Sequence, residues 1–307
     1  EDFKNSGYYS IYNYSSNLKE ANYLLSAGKV QFILQIPPGF TRDIINQRTP
    51  KALLIADGSN PLAITGATSV VEGIVKHSLK HDLVGAVGAD NPDKPYEMIV
   101  QQRYNPTANA KFYTLPNLTG LLLGLILTSL SAFAMAKESK DGTMESLLTT
   151  PALPIEVLIA KMVPYFLFGF AQFLSTLIIA HYVYHLPLLG NLFTLMLAAF
   201  FFISTCIGIG IFFSFVGKTS ESAVQMTTQF FAINVLFSGF FFPFVGMPAW
   251  AQWIGNLFPL THFLKVIIAI SLKGSTFIEI WPHLWPMFAF SLAILVLLTF
   301  SYKQTLD

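Results

Sequence analysis

Four long stretches without a single Asp, Glu, Lys or Arg constrain this chain more than any other feature of its sequence. They are Phe112–Ala136, Met162–Gly217, Ser222–Leu264 and Ile280–Tyr302, with 25, 56, 43 and 23 residues. A helix needs about 20 mostly apolar residues to cross the hydrocarbon core of a bilayer. Helices in soluble cores are typically shorter and amphipathic, so these stretches predict a polytopic α-helical membrane protein.

The uncharged stretches predict five full spanning helices. The first covers roughly Leu115–Ala136, and the last covers Ile280–Tyr302. The stretch of 56 residues is too long for one helix and fits two, broken near His185–Asn191, where proline and glycine favour a turn. The first half of the third stretch, Ser222–Phe242, predicts the remaining span.

Prolines and a glycine interrupt the second half of the third stretch. Irregular backbone at membrane depth is tolerated only where protein or water covers it. The pattern therefore favours an outer re-entrant hairpin over about residues 248–271, which contains Trp250, Trp253, Pro259 and His262. A plain outer loop with a helix at the membrane interface is the alternative.

Charge divides the chain into two parts. Residues 1–113 carry 21 charged side chains, whereas residues 114–307 carry 14. The first part predicts a small α/β domain in water, and the second predicts the transmembrane domain. Strand-like and helix-like stretches alternate in the first part, at Tyr8–Tyr14, Ser15–Ala27, Val30–Ile36, a short helix after Thr41, Leu53–Ala56, Leu62–Leu79 and Met98–Arg103.

Lysines in the short loops predict the orientation of the chain, because cytoplasmic loops are enriched in Lys and Arg. Alternate loops place Lys137, Lys140, Lys161, Lys218 and Lys303 on one side, and Lys265 and Lys273 on the other. The first side is predicted to be cytoplasmic, so residues 1–113 are extracytoplasmic. Residues 1–10 have no apolar core typical of a signal peptide, and we therefore expect an additional span upstream.

Several function classes are disfavoured by composition and motif. The formal net charge of +1 gives no basic field for nucleic acid. Gly217-Lys218-Thr219 lacks the glycine that a phosphate-binding loop needs five residues before its Gly-Lys pair, where Phe212 stands. No catalytic motif or metal-ligand cluster stands out, so we expect a non-catalytic chain without a cofactor or metal of its own.

A short amphipathic helix is predicted at about 141–150, in the loop after the first span. Gly142 and Thr143 lie at its start, and Pro151 lies beyond its end. Three apolar residues share one face of this helix, namely Met144, Leu147 and Leu148, whereas Glu145 lies off that face. Such a helix lies on lipid or inserts into a groove of a partner protein. Its few basic residues favour the partner.

Amide side chains within the uncharged runs are a further candidate site. Gln225 and Gln229 share a helix face, and Asn234 lies further along the same run. Buried amides are costly against lipid, so they face either another helix or a wet path. Interhelical hydrogen bonding and a transport path both remain open for these residues.

The segment from Lys137 to Pro151 resembles the signature of ATP-binding-cassette (ABC) exporter permeases of the type-two membrane family. Residues 239–243, 247–250 and 256–264 are similar to that family's outer re-entrant hairpin. Upstream, residues 36–40, 57–61 and 104–106 are similar to the subgroup with a large extracytoplasmic domain after the first span. The resemblance covers nearly the whole chain in a consistent order.

The resemblance implies six spans, and hence an N-terminal span and part of the outer domain upstream of Glu1. It implies a dimer of permease subunits in the bacterial inner membrane, with separate cytoplasmic ATPase subunits that bind ATP and magnesium. Residues Gly142–Leu148 would be the coupling helix that contacts the ATPase. A periplasmic adaptor protein and membrane lipid are further candidate partners.

We therefore expect an exporter subunit that moves an amphipathic substrate, such as a drug, a lipid or a lipid-linked molecule. The path would lie at the dimer interface and would be lined partly by Gln225 and Gln229. The alternative is a membrane-anchored receptor or scaffold whose outer domain binds a ligand or phage without transport.

Single introduced cysteines test the predicted side of the coupling helix. In a Cys206→Ala background, we expect Ser146→Cys to react with a membrane-impermeant maleimide only when the cytoplasmic face is accessible. Labelling of inside-out vesicles and of intact cells, analysed by gel shift, measures this. Labelling of Ser146→Cys in intact cells would place the segment outside and overturn the predicted orientation.

Overall fold

A three-stranded sheet organises the N-terminal part of the chain. The computed structural model describes residues 9–46, 48–77, 96–140, 154–217 and 219–304. The chain divides into two compact units, Glu1–Tyr113 and Thr114–Asp307. The described elements of the first unit are α1 (Leu18–Ser26), β1 (Phe32–Gln35), α2 (Phe40–Ile45), β2 (Lys51–Asp57), α3 (Pro61–His77) and β3 (Glu97–Arg103).

The sheet has the order β1-β2-β3. β1 runs antiparallel to β2, with Phe32 opposite Ala56. β2 runs parallel to β3, with Lys51 opposite Glu97, and α3 lies between them in sequence. A parallel pair needs a long crossover connection, which explains why the central apolar strand is followed by a helix.

The central strand β2 supplies the core of the first unit. Ala52 and Leu54 are almost fully buried against Val71 and Val75 of α3 and against Tyr96. An alternating strand with apolar residues packed under one helix is the two-layer arrangement that small α/β domains use. The apolar run at Leu53–Ala56 was therefore a sound indicator of a buried strand.

Local capping explains the bounds of α1. The Asn17 side chain accepts a hydrogen bond from the Lys19 backbone N–H, and Gly28 adopts a left-handed φ of 67° after the helix. Only glycine adopts this conformation without strain.

The strand expected at Tyr8–Tyr14 is wrong for its described part, because residues 9–14 form no regular structure. Tyr9 instead packs its ring edge-on against Phe32, with the ring centroids 5.4 Å apart.

The second unit consists of helices and short connections in its described residues, with no strand among them. Its elements are α4 (Ala110–Lys140), α5 (Pro154–Tyr182), α6 (Leu192–Val216), α7 (Ser220–Phe237), a 3₁₀ turn (Phe244–Gly246), α8 (Ala249–Leu257), α9 (Pro259–Ile268), a π-helical turn (Ala269–Lys273) and α10 (Phe277–Gln304). The break between α5 and α6 lies in the segment that contains Pro187 and Gly190, where the sequence predicts a turn. Asn191 caps α6 there by accepting a hydrogen bond from the Phe193 backbone N–H, 2.8 Å away.

Four of the described helices are long and apolar enough to cross a membrane. They cover Ala110–Glu138, Glu156–Tyr182, Leu192–Val216 and Phe277–Thr299. The span expected at Ser222–Phe242 corresponds to α7, which is shorter and more polar than these four because it carries Glu221, two glutamines, two threonines and an asparagine. The bent pair α8–α9 would be a fifth span if counted as one. The expected count of five full spans is thus not confirmed.

Small residues on one face of α4 allow close helix packing. A Cβ added to Gly120 would lie 3.0 Å from the Phe263 ring of α9, and a Cβ added to Gly124 would collide with the Phe231 ring of α7. Two turns after Gly124 along α4, Ser131 donates hydrogen bonds to Leu127 O in its own helix and to Ile207 O in α6, at 2.7 and 3.3 Å. Small residues bring backbones together where lipid gives no hydrophobic driving force.

Replacing Gly124 by Ala tests this packing. The added methyl has no room beside Phe231 and Phe202, so we expect destabilisation by about 1–3 kcal/mol. Gly66→Ala in α3 is the matched control, because it is also helical but meets nothing within 4 Å. Unfolding midpoints in detergent with increasing SDS measure both variants. Equal midpoints for Gly124→Ala and the wild type would contradict the packing argument.

Candidate functional site

An ion pair joins α4 and α5 close to the segment predicted to couple the chain to an ATPase. That segment, Gly142–Leu148, lies outside the described residues, as do Thr143, Met144, Glu145 and Leu147 within it. α4 ends two residues before it, at Lys140, and α5 begins at Pro154 after it.

The pair itself consists of Glu138 on α4 and Lys161 on α5. The Lys161 Nζ atom donates to Glu138 Oε2 at 2.5 Å and also lies 3.9 Å from Met135 Sδ. The Lys161 side chain is only 14% exposed, whereas Glu138 is 43% exposed. A largely buried ammonium needs its carboxylate partner, so the pair fixes the spacing of the two helices that flank the predicted coupling segment.

The predicted transport-path residues of α7 do not share one environment. Gln225 and Gln229 lie on an exposed face of the helix, together with Thr228. Asn234 instead lies on the buried face of the helix and is 2% exposed. Phe231 and Val235 are buried on the same helix. The structure therefore brings the two glutamines together on one surface and places Asn234 on the opposite, buried side of the helix.

Further along α7, towards its C-terminal end, the same exposed face consists of apolar residues. Ile233 and Leu236 are 49% and 47% exposed. The exposed face thus has a polar part followed by an aliphatic part, and the rest of the described chain leaves both uncovered. Such a face suits contact with a second membrane subunit or with an amphipathic molecule better than contact with lipid alone.

The predicted outer hairpin corresponds to α8 and α9, which meet at an angle of 90° with the break at Phe258. Trp250 and Trp253 project from α8 and are 62% and 79% exposed, and the Trp250 ring also contacts the ring of Phe237 at 6.0 Å between centroids. Pro259 begins α9, where its missing N–H costs nothing.

Aromatic stacking holds α9 against the helix bundle. The rings of Phe202 on α6 and Phe263 on α9 are stacked, with centroids 4.3 Å apart and an angle of 4° between planes. Both side chains are almost completely buried, and Gly120 of α4 lies beneath Phe263. α9 is therefore a buried element of the bundle, while α8 presents its tryptophans outward.

Backbone hydrogen bonds tie the far end of the hairpin to the loop between α5 and α6. The Leu189 and Gly190 N–H groups donate to Ser271 O and Ile270 O, at 3.3 and 3.0 Å. A π-helical turn changes the regular hydrogen-bond pattern, and these two carbonyls find their partners in the loop. A Cβ on Gly190 would lie 2.8 Å from Ile270 O, so the contact requires glycine.

His262 lies at the centre of a polar cluster inside the hairpin. It is 6% exposed, and its Nε2 atom lies 2.9 Å from Asn256 O. Its Nδ1 atom lies 3.3 Å from Nδ1 of His283 on α10. Lys265 extends from the next turn of α9 to Asn256 Oδ1 at 3.4 Å and lies 3.7 Å above the Phe244 ring, a cation–π distance.

The partners in this cluster could not be predicted from the sequence. His262 was predicted as a hairpin residue, but His283 is 21 positions away in the following helix and Asn256 contributes a backbone oxygen. The Glu138–Lys161 pair was missed for the same reason, since 23 residues separate its members. Among the residues that the structure describes, no three His, Cys, Asp or Glu side chains group closely enough to hold a metal ion.

Comparison with known families shows a match over almost the whole chain. The profile of the family described as ABC-2 family transporter protein matches residues 1–300. The description agrees with the type-two family that the sequence motifs resembled. No solved structure matches the chain.

Three proteins of Escherichia coli K12 are similar to the chain. The probable multidrug ABC transporter permease YbhR is 26% identical over 259 residues, which are 84% of this chain and 69% of YbhR. The probable multidrug ABC transporter permease YbhS is 25% identical over 299 residues, or 95% and 78% of the two chains. The inner membrane transport permease YhhJ is 26% identical over 293 residues, or 92% and 75%.

Replacing Phe263 by Ala tests the attachment of α9. Loss of the stack on Phe202 leaves a cavity in a buried site, and we expect a cost of about 3 kcal/mol. Phe193→Ala on α6 is the control, because that ring is 74% exposed. SDS unfolding midpoints and protease cleavage within residues 243–258 report the outcome. If cleavage is no faster in Phe263→Ala than in Phe193→Ala, the stack does not hold the hairpin.

Proposed function

Because the chain belongs to the ABC-2 family of transporter proteins, we propose that it is the membrane permease subunit of an ABC exporter. It moves an amphipathic substrate, such as a drug, a lipid or a lipid-linked molecule, and a separate subunit hydrolyses the ATP. Names of relatives support the substrate class, since YbhR and YbhS are described as probable multidrug permeases.

The observation that carries this proposal is the family match over residues 1–300, together with four long apolar helices among the described residues. The sequence has no complete phosphate-binding loop, since Phe212 stands where the motif at Gly217-Lys218 needs glycine. Energy for transport must then come from a partner that binds ATP and magnesium.

Coupling to that partner is assigned to residues 142–148. The apolar side chains Met144, Leu147 and Leu148 form one face if the segment is helical, and such a face inserts into a groove of another protein. The Glu138–Lys161 pair supports this role, because it joins the two helices that flank the segment. A push on the segment then moves α4 and α5 together.

Two copies of the chain, or this chain and a similar one, enclose the transport path in our proposal. The support is the exposed face of α7, where Gln225 and Gln229 adjoin exposed aliphatic side chains. Amides on this face offer hydrogen bonds to a polar substrate group, and the aliphatic residues contact its apolar part. Asn234 is buried within the chain, and we assign it to helix packing rather than to the path.

The proposal also assigns residues 1–113 and the α8–α9 hairpin to the outer side of the membrane. We place residues 1–113 on the extracytoplasmic side, following the lysines of the loops. The α8–α9 hairpin then lies at the outer end of the path. A periplasmic adaptor is a candidate partner of the outer domain, and lipid surrounds the exposed tryptophans.

Charged substitutions on the coupling face test the proposal. We expect Met144→Glu and Leu147→Glu to abolish co-purification of an ATPase subunit encoded with the chain, because a carboxylate cannot enter an apolar groove without a large cost. Ser146→Glu is the matched control, since it adds the same charge off the apolar face. Co-purification and substrate-stimulated ATPase activity in lipid nanodiscs are the measurements.

The result separates transport from the rival function of receptor or scaffold. Loss of ATPase binding in the two apolar variants but not in Ser146→Glu supports the exporter. Full ATPase binding and activity in all three variants would contradict the coupling role of residues 142–148. Absence of any co-purifying ATPase with the wild-type chain would favour the receptor.

A further inference from the structure

Two imidazole rings face each other across the contact between α9 and α10. The Nδ1 atoms of His262 and His283 are 3.3 Å apart, and the ring planes are tilted by 41°. Two ring nitrogens can form a hydrogen bond only when one carries a hydrogen and the other does not. The protonation state of the pair therefore decides whether the contact attracts or repels.

The second nitrogen of His262 fixes its tautomer in the neutral pair. Nε2 lies 2.9 Å from Asn256 O, and a carbonyl oxygen only accepts hydrogen bonds. Nε2 of His262 must then carry the hydrogen, which leaves its Nδ1 as an acceptor. His283 must donate from Nδ1 to complete the contact.

One added proton preserves this hydrogen bond. If His283 becomes the cation, it still donates from Nδ1 to His262. If His262 becomes the cation, its Nδ1 donates and neutral His283 accepts after moving its hydrogen to Nε2. A second proton makes both Nδ1 atoms donors, so the bond is lost and two positive charges face each other.

The charges around the pair oppose that second proton. Lys265 on α9 acts electrostatically on both imidazoles, and Lys273 in the π-helical turn acts on His283. Glu279 is on α10, one turn before His283, and its carboxylate accepts hydrogen bonds from the backbone N–H and hydroxyl of Thr276. The neighbouring helices α6 and α8 contain no Asp, Glu, Lys or Arg, and α7 has only Glu221, at its far end. Helix α5, which also packs against α10, carries Glu156, Lys161 and His181, and Lys161 is paired with Glu138 of α4.

We propose that His262 and His283 form a single proton-binding site that attaches the hairpin to α10. The site holds no more than one added proton while the hairpin is attached, and a second proton releases it. The inference rests on these contacts and not on the transport proposal. For an exporter, it makes the attachment of the hairpin dependent on pH.

A distance measurement on the full chain tests the site. Spin labels at Ala249→Cys on α8 and Ile278→Cys on α10, both exposed positions, report their separation in a Cys206→Ala background. Pulsed electron paramagnetic resonance is recorded in nanodiscs with EDTA from about pH 8 to about pH 5, the range in which imidazoles titrate. Samples with only one of the two cysteines identify any distance that arises between two copies of the chain, so that it can be subtracted.

We expect the distance distribution to become longer and broader at the acidic end. His283→Asn should keep the short distance at every pH, because an amide can donate to neutral His262 or accept from charged His262. His181→Asn is the matched control. That imidazole contacts the backbone oxygen Leu186 O and no second histidine, so this variant should retain the pH response.

Three results would overturn the proposal. The first is an unchanged distance in the wild type over the whole pH range. The second is the same acid response in His283→Asn as in the wild type. The third is a shortening on addition of Zn²⁺ without EDTA that His283→Asn abolishes, which would assign the pair to a metal ion.

Discussion

The contact of α4 with the aromatic rings of its neighbours is the interaction on which the second unit depends. Gly120 and Gly124 leave no side chain on one face, and the rings of Phe263 and Phe231 occupy that space. Phe263 also stacks on Phe202 of α6. Because lipid tails are as apolar as the side chains, burial alone gives little energy here, and close packing must supply the association of helices. The stack of Phe263 on Phe202 also contributes to the attachment of the hairpin.

Much of the fold follows from the sequence, because the bilayer and the sheet both impose simple periodicities. The uncharged runs located α4, α5, α6 and α10, and the apolar run at Leu53–Ala56 located β2. The expected span at Ser222–Phe242 coincides with helix α7, but its glutamines and threonines leave it outside the four long apolar helices, so the number of spans stays a prediction. The stretch at Tyr8–Tyr14 was misjudged because aromatic residues favour strands only where a neighbouring strand exists to pair with.

The candidate site was less accessible to sequence reasoning. The motif around Gly142–Leu148 resembled that of a family to which the chain does belong, yet the contacts of Lys161 with Glu138 and of His262 with His283 join residues 23 and 21 positions apart. Such pairs depend on the angle at which helices meet, and that angle comes from packing rather than from periodicity. The buried position of Asn234 likewise required the structure, since helical spacing alone does not say which face meets a neighbour.

The hydrogen bonds from Leu189 and Gly190 to the π-helical turn involve backbone atoms only, apart from the need for glycine at position 190. The exposed side chain of Leu189 has no part in these hydrogen bonds, whereas Asn191 in the same connection is needed to cap α6. The number of residues in that connection is not free, because an insertion or deletion would shift both donors out of register. The length of this loop therefore sets where the hairpin is held.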